Sequence, residues 1–179
     1  MKSTMCAFLR GINVNGKNME MVDVCDVFRQ EHVDNVRSVL ATGNILFDSP
    51  LSKPELRIKF ENAISRRYQS NESIFIKDQN EIGAMLKGLP FTPGPGLHIY
   101  AFICEVGFEA VLMERFQQIA PIKNEKALIY DNQFYWQVSK GETLGSGFSK
   151  ILADKKLRNQ FTSRNINTIQ KINDKMMAA

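Results

Sequence analysis

The nonapeptide Arg10-Gly11-Ile12-Asn13-Val14-Asn15-Gly16-Lys17-Asn18 concentrates residues able to do chemistry. Its Gly11-x-x-x-x-Gly16-Lys17 spacing follows a nucleotide-binding P-loop as far as the lysine, an arrangement in which backbone amides cradle phosphates. Position 18 is asparagine, so the hydroxyl that would hold Mg²⁺ is missing. The segments that follow pattern as an antiparallel hairpin, whereas such triphosphatases use a parallel sheet, and that class is not expected. A more general anion-attracting site survives. Glycines and asparagines let the loop bend, a helix start offers unpaired N–H groups and the positive end of its dipole, and Arg10 and Lys17 add full charges. The competing account has the asparagines bonding to the backbone, with Asn18 as a helix cap.

A second polar cluster lies in Phe161-Thr162-Ser163-Arg164-Asn165, immediately before a terminal helix. A cation is disfavoured at a helix start, so Arg164 calls for an acidic partner or a bound anion. Asn165 is placed to cap the helix, with Thr168 and Lys171 on its polar flank. Thr42-Gly43-Asn44 has the composition of a hairpin turn with positive φ at Gly43 or Asn44, and Asn44 is a further amide a ligand could meet. The glycine-rich run 141–149 fits neither the dinucleotide nor the P-loop spacing.

Catalytic groups are sparse. His32 and His98 have no local carboxylate cluster, so no metal is expected, and no serine nucleophile elbow is present. Cys6, Cys25 and Cys104 are widely spaced within apolar patterns, which argues against a disulfide framework or a CxxC motif. No cofactor is implied. Phe134, Tyr135 and Trp136 alternate on a strand and would serve nucleic-acid stacking only if exposed beside basic residues.

The elements that must position these groups follow from periodicity. Residues 4–9 suit a central strand, and Met21, Val24, Cys25 and Phe28 share a helical face. Residues 36–41 and 44–49 are strand-like. Ser52-x-x-Glu55 is a capping box with Pro54 in the first turn, opening a helix that carries Leu56, Phe60, Ala63 and Ile64 on one side. Residues 73–77 form another strand, and Asp78-x-x-Glu81 caps a short extra helix. After the Pro/Gly-rich segment 89–96 the order recurs: a strand at 97–104, a helix at 107–119, a hairpin turning at Asp131-Asn132-Gln133, and a helix at 148–157. An extended piece around 159–161 and a last helix at 165–177 complete it. Two β-α-β-β-α-β units imply an α+β architecture of duplicated ferredoxin-like subdomains, antiparallel sheets covered by helices, plus a C-terminal helix. The boundaries are 1–88, a linker at 89–96, and 97–179.

The chain has 179 residues, is 44% hydrophobic, and carries a net charge of +4. Between residues 150 and 175 seven basic side chains oppose Asp154 and Asp174, a local +5 that leaves the rest near −1. A concentrated positive field attracts phosphates better than a diffuse one. No run is long enough to span a membrane and no secretory leader is evident, so a cytoplasmic location without membrane partners is expected.

Taken together, RGINVNGKN (10–18), TGN (42–44) and TSRNINTIQK (162–171) resemble the bacterial domain-of-unknown-function family 1697 over essentially the whole chain. The resemblance implies two ferredoxin-like subdomains and no established activity. Arg10, Gly11, Ile12, Asn13, Val14 and Gly16 match the family loop, while Asn15 replaces a glycine. The closing motif falls on Thr162, Arg164, Asn165, Thr168 and Lys171, with Ile166 in place of an aromatic. The leading expectation is a protein that binds a phosphate-bearing ligand, nucleic acid among the candidates, through Arg10, Gly11, Asn13, Gly16, Lys17, Asn44, Thr162, Arg164, Asn165 and Lys171. The alternatives are an enzyme anchoring an anionic substrate through the same groups, and a structural or interaction protein without a small ligand. Oligomeric state is open.

Overall fold

Period-two alternation over Ser3–Leu9 (β1) buries Met5, Ala7 and Leu9 on one face of a sheet and Cys6 and Phe8 on the other. A computed structural model describes residues 2–11, 19–154, 156–157 and 159–178. After β1 come α1 (Met21–Gln30), β2 (Asp34–Ser38), β3 (Asn44–Ser49), α2 (Lys53–Tyr68) and β4 (Ile74–Asp78). All pairings are antiparallel, in the order β2-β3-β1-β4. A short helix, α3 (Gln79–Lys87), leads into β5 (Leu97–Cys104), α4 (Phe108–Gln117), β6 (Lys126–Tyr130), β7 (Gln133–Ser139), α5 (Gly147–Leu152) and β8 (Phe161–Asn165). Their sheet runs β6-β7-β5-β8, the same order, again antiparallel. The chain is thus two ferredoxin-like β-α-β-β-α-β subdomains followed by α6 (Ile166–Met177). It forms two compact units, Met1–Gly83 with Lys171–Ala179 and Ala84–Gln170, so the first includes both ends of the chain.

Three elements differ most in extent from their sequence expectation, each for a local reason. The strand expected at 36–41 ends at Ser38 because Leu40 takes φ 61°, outside the extended region. The helix expected at 148–157 stops at Leu152: Asp154 Oδ1 accepts from Lys156 N at 2.9 Å, a side-chain turn that competes with further helix. The extended piece near 159–161 is a full strand, β8, in register with β5 from Cys104↔Phe161 to Tyr100↔Asn165.

Each unit has its own apolar core. In the first, Phe28 and Phe60 stack with centroids 3.9 Å apart, and Phe47 meets both edge-on. In the second, Phe148 on α5 touches Phe102, Phe116, Phe134 and Trp136.

Both capping boxes are present. Ser52 N donates to Glu55 Oε2 at 3.0 Å, while Asp78 N donates to Glu81 Oε2 at 2.8 Å and Glu81 N returns to Asp78 Oδ1 at 3.0 Å. Lys53 joins the start of α2 to the second box, its ammonium 2.7 Å from Asp78 and 2.5 Å from Glu81. Burial works to raise the Asp78 carboxyl, but the bonds from Lys53 and the Glu81 amide hold it below its ordinary value. Burial likewise opposes the Lys53 ammonium, and the Asp78 and Glu81 hydrogen bonds raise it. A depressed carboxyl stabilises the fold above its unfolded pKa and loses that contribution as pH falls through the folded value; a raised lysine contributes below its unfolded pKa. Both are in force near pH 7. With these side chains about a third exposed, Lys53→Met is expected to cost ~0.5–1 kcal/mol in urea denaturation at pH 7. That cost should shrink below about pH 3; one that persists undiminished there would show that packing, not charge, is lost.

Candidate functional site

The end of β1 brings two of the sequence motifs together. Leu9 N donates to Gly43 O at 2.8 Å, so the chain enters Arg10-Gly11 directly beside the Thr42-Gly43-Asn44 turn. Gly43 has φ 73° and Gly11 φ 71°, the left-handed backbone that glycine adopts freely. A Cβ on Gly11 would lie 2.7 Å from Glu72 Oε2, so the glycine also lets this carboxylate approach the main chain. Asn44 is fully buried, and its amide donates to Val39 O at 2.9 Å and Thr42 Oγ1 at 2.8 Å, clipping the turn closed. Asn13, Gly16 and Lys17 lie outside the described residues.

In the second unit, Thr162 and Arg164 share one face of β8, where Arg164 Nη1 donates to Thr162 Oγ1 at 2.7 Å and Ser163 O at 2.9 Å. Asn165 Oδ1 accepts from Asn167 N at 3.0 Å, the helix cap its position implied, and its Nδ2 lies 3.1 Å from His98 Nδ1. Lys171 is exposed on α6. Phe134, Tyr135 and Trp136 are buried, so these rings do not form a stacking platform for bases. Burial raises the Cys25 thiol, against an opposing pull from Arg29, as suits a core cysteine rather than a nucleophile.

Residues outside the sequence motifs form a concavity in the first unit. It has a volume of about 730 Å³ and is lined by Thr4, Asn35, Val36, Arg37, Asp48, Lys175 and Ala178. Its wall is shaped by a register irregularity between Asp34 and Arg37, where Asn35 takes φ 51°. Such bulges re-aim side chains and recur beside functional sites. Asn35 Nδ2 donates to Asp48 Oδ2 at 2.6 Å. Asp48 Oδ1 is shielded from solvent and, among the described residues, has no hydrogen-bond donor. Arg37 donates to two carbonyls, Asn35 O at 3.0 Å and Lys175 O at 3.2 Å, the second a favourable contact at the end of α6. Among the described residues neither Arg37 nor the Lys175 ammonium has a carboxylate at ion-pair distance, whereas Lys2 pairs with Asp34 nearby. The concavity therefore combines two uncompensated cations with a carboxylate oxygen in want of a donor. The sequence signal was slight: Asp34-Asn35, two types depleted in strands, opening β2.

No described group of three or more His, Cys, Asp or Glu side chains is arranged to hold a metal ion, and no described helix is long and apolar enough to cross a membrane. Comparison with solved structures finds the conserved bacterial protein SP0830 from Streptococcus pneumoniae at a TM-score of 0.79 and 22% identity, over 98% of this chain and 99% of that one. At that identity the likeness speaks for the fold alone. No curated protein matches the chain in sequence. The model of the protein of unknown function family DUF1697 matches residues 2–135, which carry the RGINVNGKN loop and the TGN turn, and the chain belongs to that family.

Proposed function

We propose that this protein binds a small ligand bearing a phosphate or carboxylate together with a hydroxyl or amine, held in the concavity of Arg37, Lys175 and Asp48. One observation carries the reading: two cations without carboxylate partners share a wall with a buried carboxylate oxygen that lacks a donor. An anion answers the cations, and a donor on the same ligand answers Asp48, relieving the cost of an unsatisfied buried acceptor. A second reading is favoured by the Leu9–Gly43 bond, which joins two family-motif segments. It places a phosphate-bearing ligand, nucleic acid among the candidates, at Arg10, Gly11, Asn13, Gly16 and Lys17. Either site could equally hold the anionic substrate of an enzyme.

Amide NMR titration at low salt, with inorganic phosphate and with glycerol 3-phosphate as probes, separates the two. Glycerol 3-phosphate is expected to shift the amides of Asn35–Arg37, Asp48 and Lys175–Ala178 and to bind more tightly than phosphate. Lys175→Gln should weaken it about 3- to 10-fold, the loss of one charged contact or ~1 kcal/mol. Asp48→Asn should remove its advantage over phosphate. Shifts confined to residues 9–19 and 42–44 would transfer the site to the motif loop, and the absence of saturable shifts would sink both readings.

A further inference from the structure

The two sheets treat their equivalent edge strands differently. β2 is interrupted by the bulge at Asn35 and carries Asp34 and Arg37, the devices by which natural edges avoid pairing with other chains. β6 has no bulge and no charge along its middle. It pairs with β7 without irregularity from Lys126↔Gln137 to Tyr130↔Gln133 and contains no proline. Its one charge is at its first residue. Leu128, Ile129 and Tyr130 are 45%, 38% and 56% exposed, an unusual solvent exposure for three consecutive large apolar side chains.

The hairpin fixes which backbone groups β6 has to offer. Asp131 and Asn132, at φ 49° and 58°, form a two-residue primed turn, so the flanking pair Tyr130–Gln133 is hydrogen-bonded. Antiparallel pairs alternate between hydrogen-bonded and non-bonded. Lys126, Leu128 and Tyr130 therefore direct their N–H and C=O groups to β7, while those of Ala127 and Ile129 face outward. A second β6, run antiparallel about a two-fold axis through Leu128, meets them in matching register. Ala127 falls opposite Ile129 of the other copy and Leu128 opposite Leu128. Lys126 falls opposite Tyr130, so the strand's only charge meets an aromatic ring rather than its own kind.

We infer that β6 is a homodimerisation edge, two copies of this chain joining their second sheets through antiparallel β6–β6 pairing centred on Leu128. The symmetry is closed, so pairing stops at two. A five-residue strand contact makes a small interface, and the dimer is expected at roughly micromolar to hundred-micromolar concentrations.

Sedimentation equilibrium of the full chain over that range tests this. A mass rising from the 20.4 kDa protomer toward twice that value is expected. Leu128→Lys places like charges face to face at an exposed position and should leave a folded monomer by circular dichroism, as should Leu128→Glu. Mixing the two variants pairs Lys with Glu across the axis and should restore the dimer, which a nonspecific apolar contact would not do. Ile129→Pro, which removes an outward N–H without touching the β7 ladder, should also give a monomer. A wild-type chain that stays monomeric at all concentrations, a dimer indifferent to Leu128→Lys, or variants that remain monomeric when mixed would each overturn the inference.

Discussion

Phe60→Ala is expected to destabilise the protein by ~3–5 kcal/mol, the range for truncating a fully buried aromatic. Phe60 is completely buried on α2, stacked on Phe28 of α1 at 3.9 Å and edge-on to Phe47 of β3 at 5.1 Å. It is thus the point at which α1 and α2 meet their sheet. Three costs arrive together: lost apolar burial, lost ring–ring contacts worth ~0.5–1.5 kcal/mol per pair, and a cavity that rigid neighbours cannot fill. Against a total stability of typically 5–15 kcal/mol, the melting temperature should fall by about 6–20 °C. Phe60→Leu keeps most of the volume and should recover more than half the loss. A midpoint shift below ~1 kcal/mol for Phe60→Ala would mean that the core is far less tightly packed than its geometry requires.

Phe60 was legible as a core residue because helix α2 announces itself twice, through the Ser52-x-x-Glu55 box and through Leu56, Phe60, Ala63 and Ile64 at helical spacing. The same holds for the Asp131-Asn132 turn, whose residue types tolerate positive φ. The order of elements followed from such local signals, and with it the duplicated ferredoxin-like fold. Boundaries were less legible where tertiary contacts overrule local preference. Phe161–Asn165 is polar and ambiguous as a peptide, yet becomes a strand because β5 offers an unpaired edge and Phe161 has Phe102 and Phe108 to pack against. Leu40 at φ 61° is not foreseeable from its type, since a bulky apolar residue seldom enters that region.

The motif residues were easier to find than to interpret. Types such as Asn44 and Asn165 serve a ligand and a turn equally well, and only hydrogen-bond partners separate the two uses. Asn44 donates to Val39 O and Thr42 Oγ1, and Asn165 caps α6. Arg37, Asp48 and Lys175 were not grouped as a site for the opposite reason: they are far apart in sequence, in no shared motif, and meet only because β2 bulges beside β3 and the end of α6 lies near Arg37.

Glu125 is another residue that no pattern marks, a carboxylate in the loop Lys123-Asn124-Glu125 that is nonetheless buried. One carboxylate oxygen accepts from Trp136 Nε1 at 3.1 Å and the other from Ile122 N at 3.0 Å. Trp136 in turn stacks on Tyr100 at 5.4 Å and meets Phe148 at 5.5 Å, so Glu125 fixes the orientation of a ring at the centre of the second core. Removing the carboxylate leaves the buried Trp136 Nε1 and the half-buried Ile122 N without their acceptor, at ~1–3 kcal/mol for the buried donor before relaxation and less for the one that water reaches. Glu125→Ala is therefore expected to cost ~2–4 kcal/mol. With a urea slope of ~2 kcal/mol/M the midpoint should drop by about 1–2 M. Trp136 is the chain's single tryptophan, so its fluorescence follows both the unfolding and the local change. Glu125→Gln separates charge from shape: its one carbonyl oxygen can serve one donor, while its amide turns an N–H toward the other, and an intermediate loss follows. A Glu125→Ala protein within ~0.5 kcal/mol of wild type, with unshifted emission, would mean that Trp136 is held by its aromatic neighbours alone.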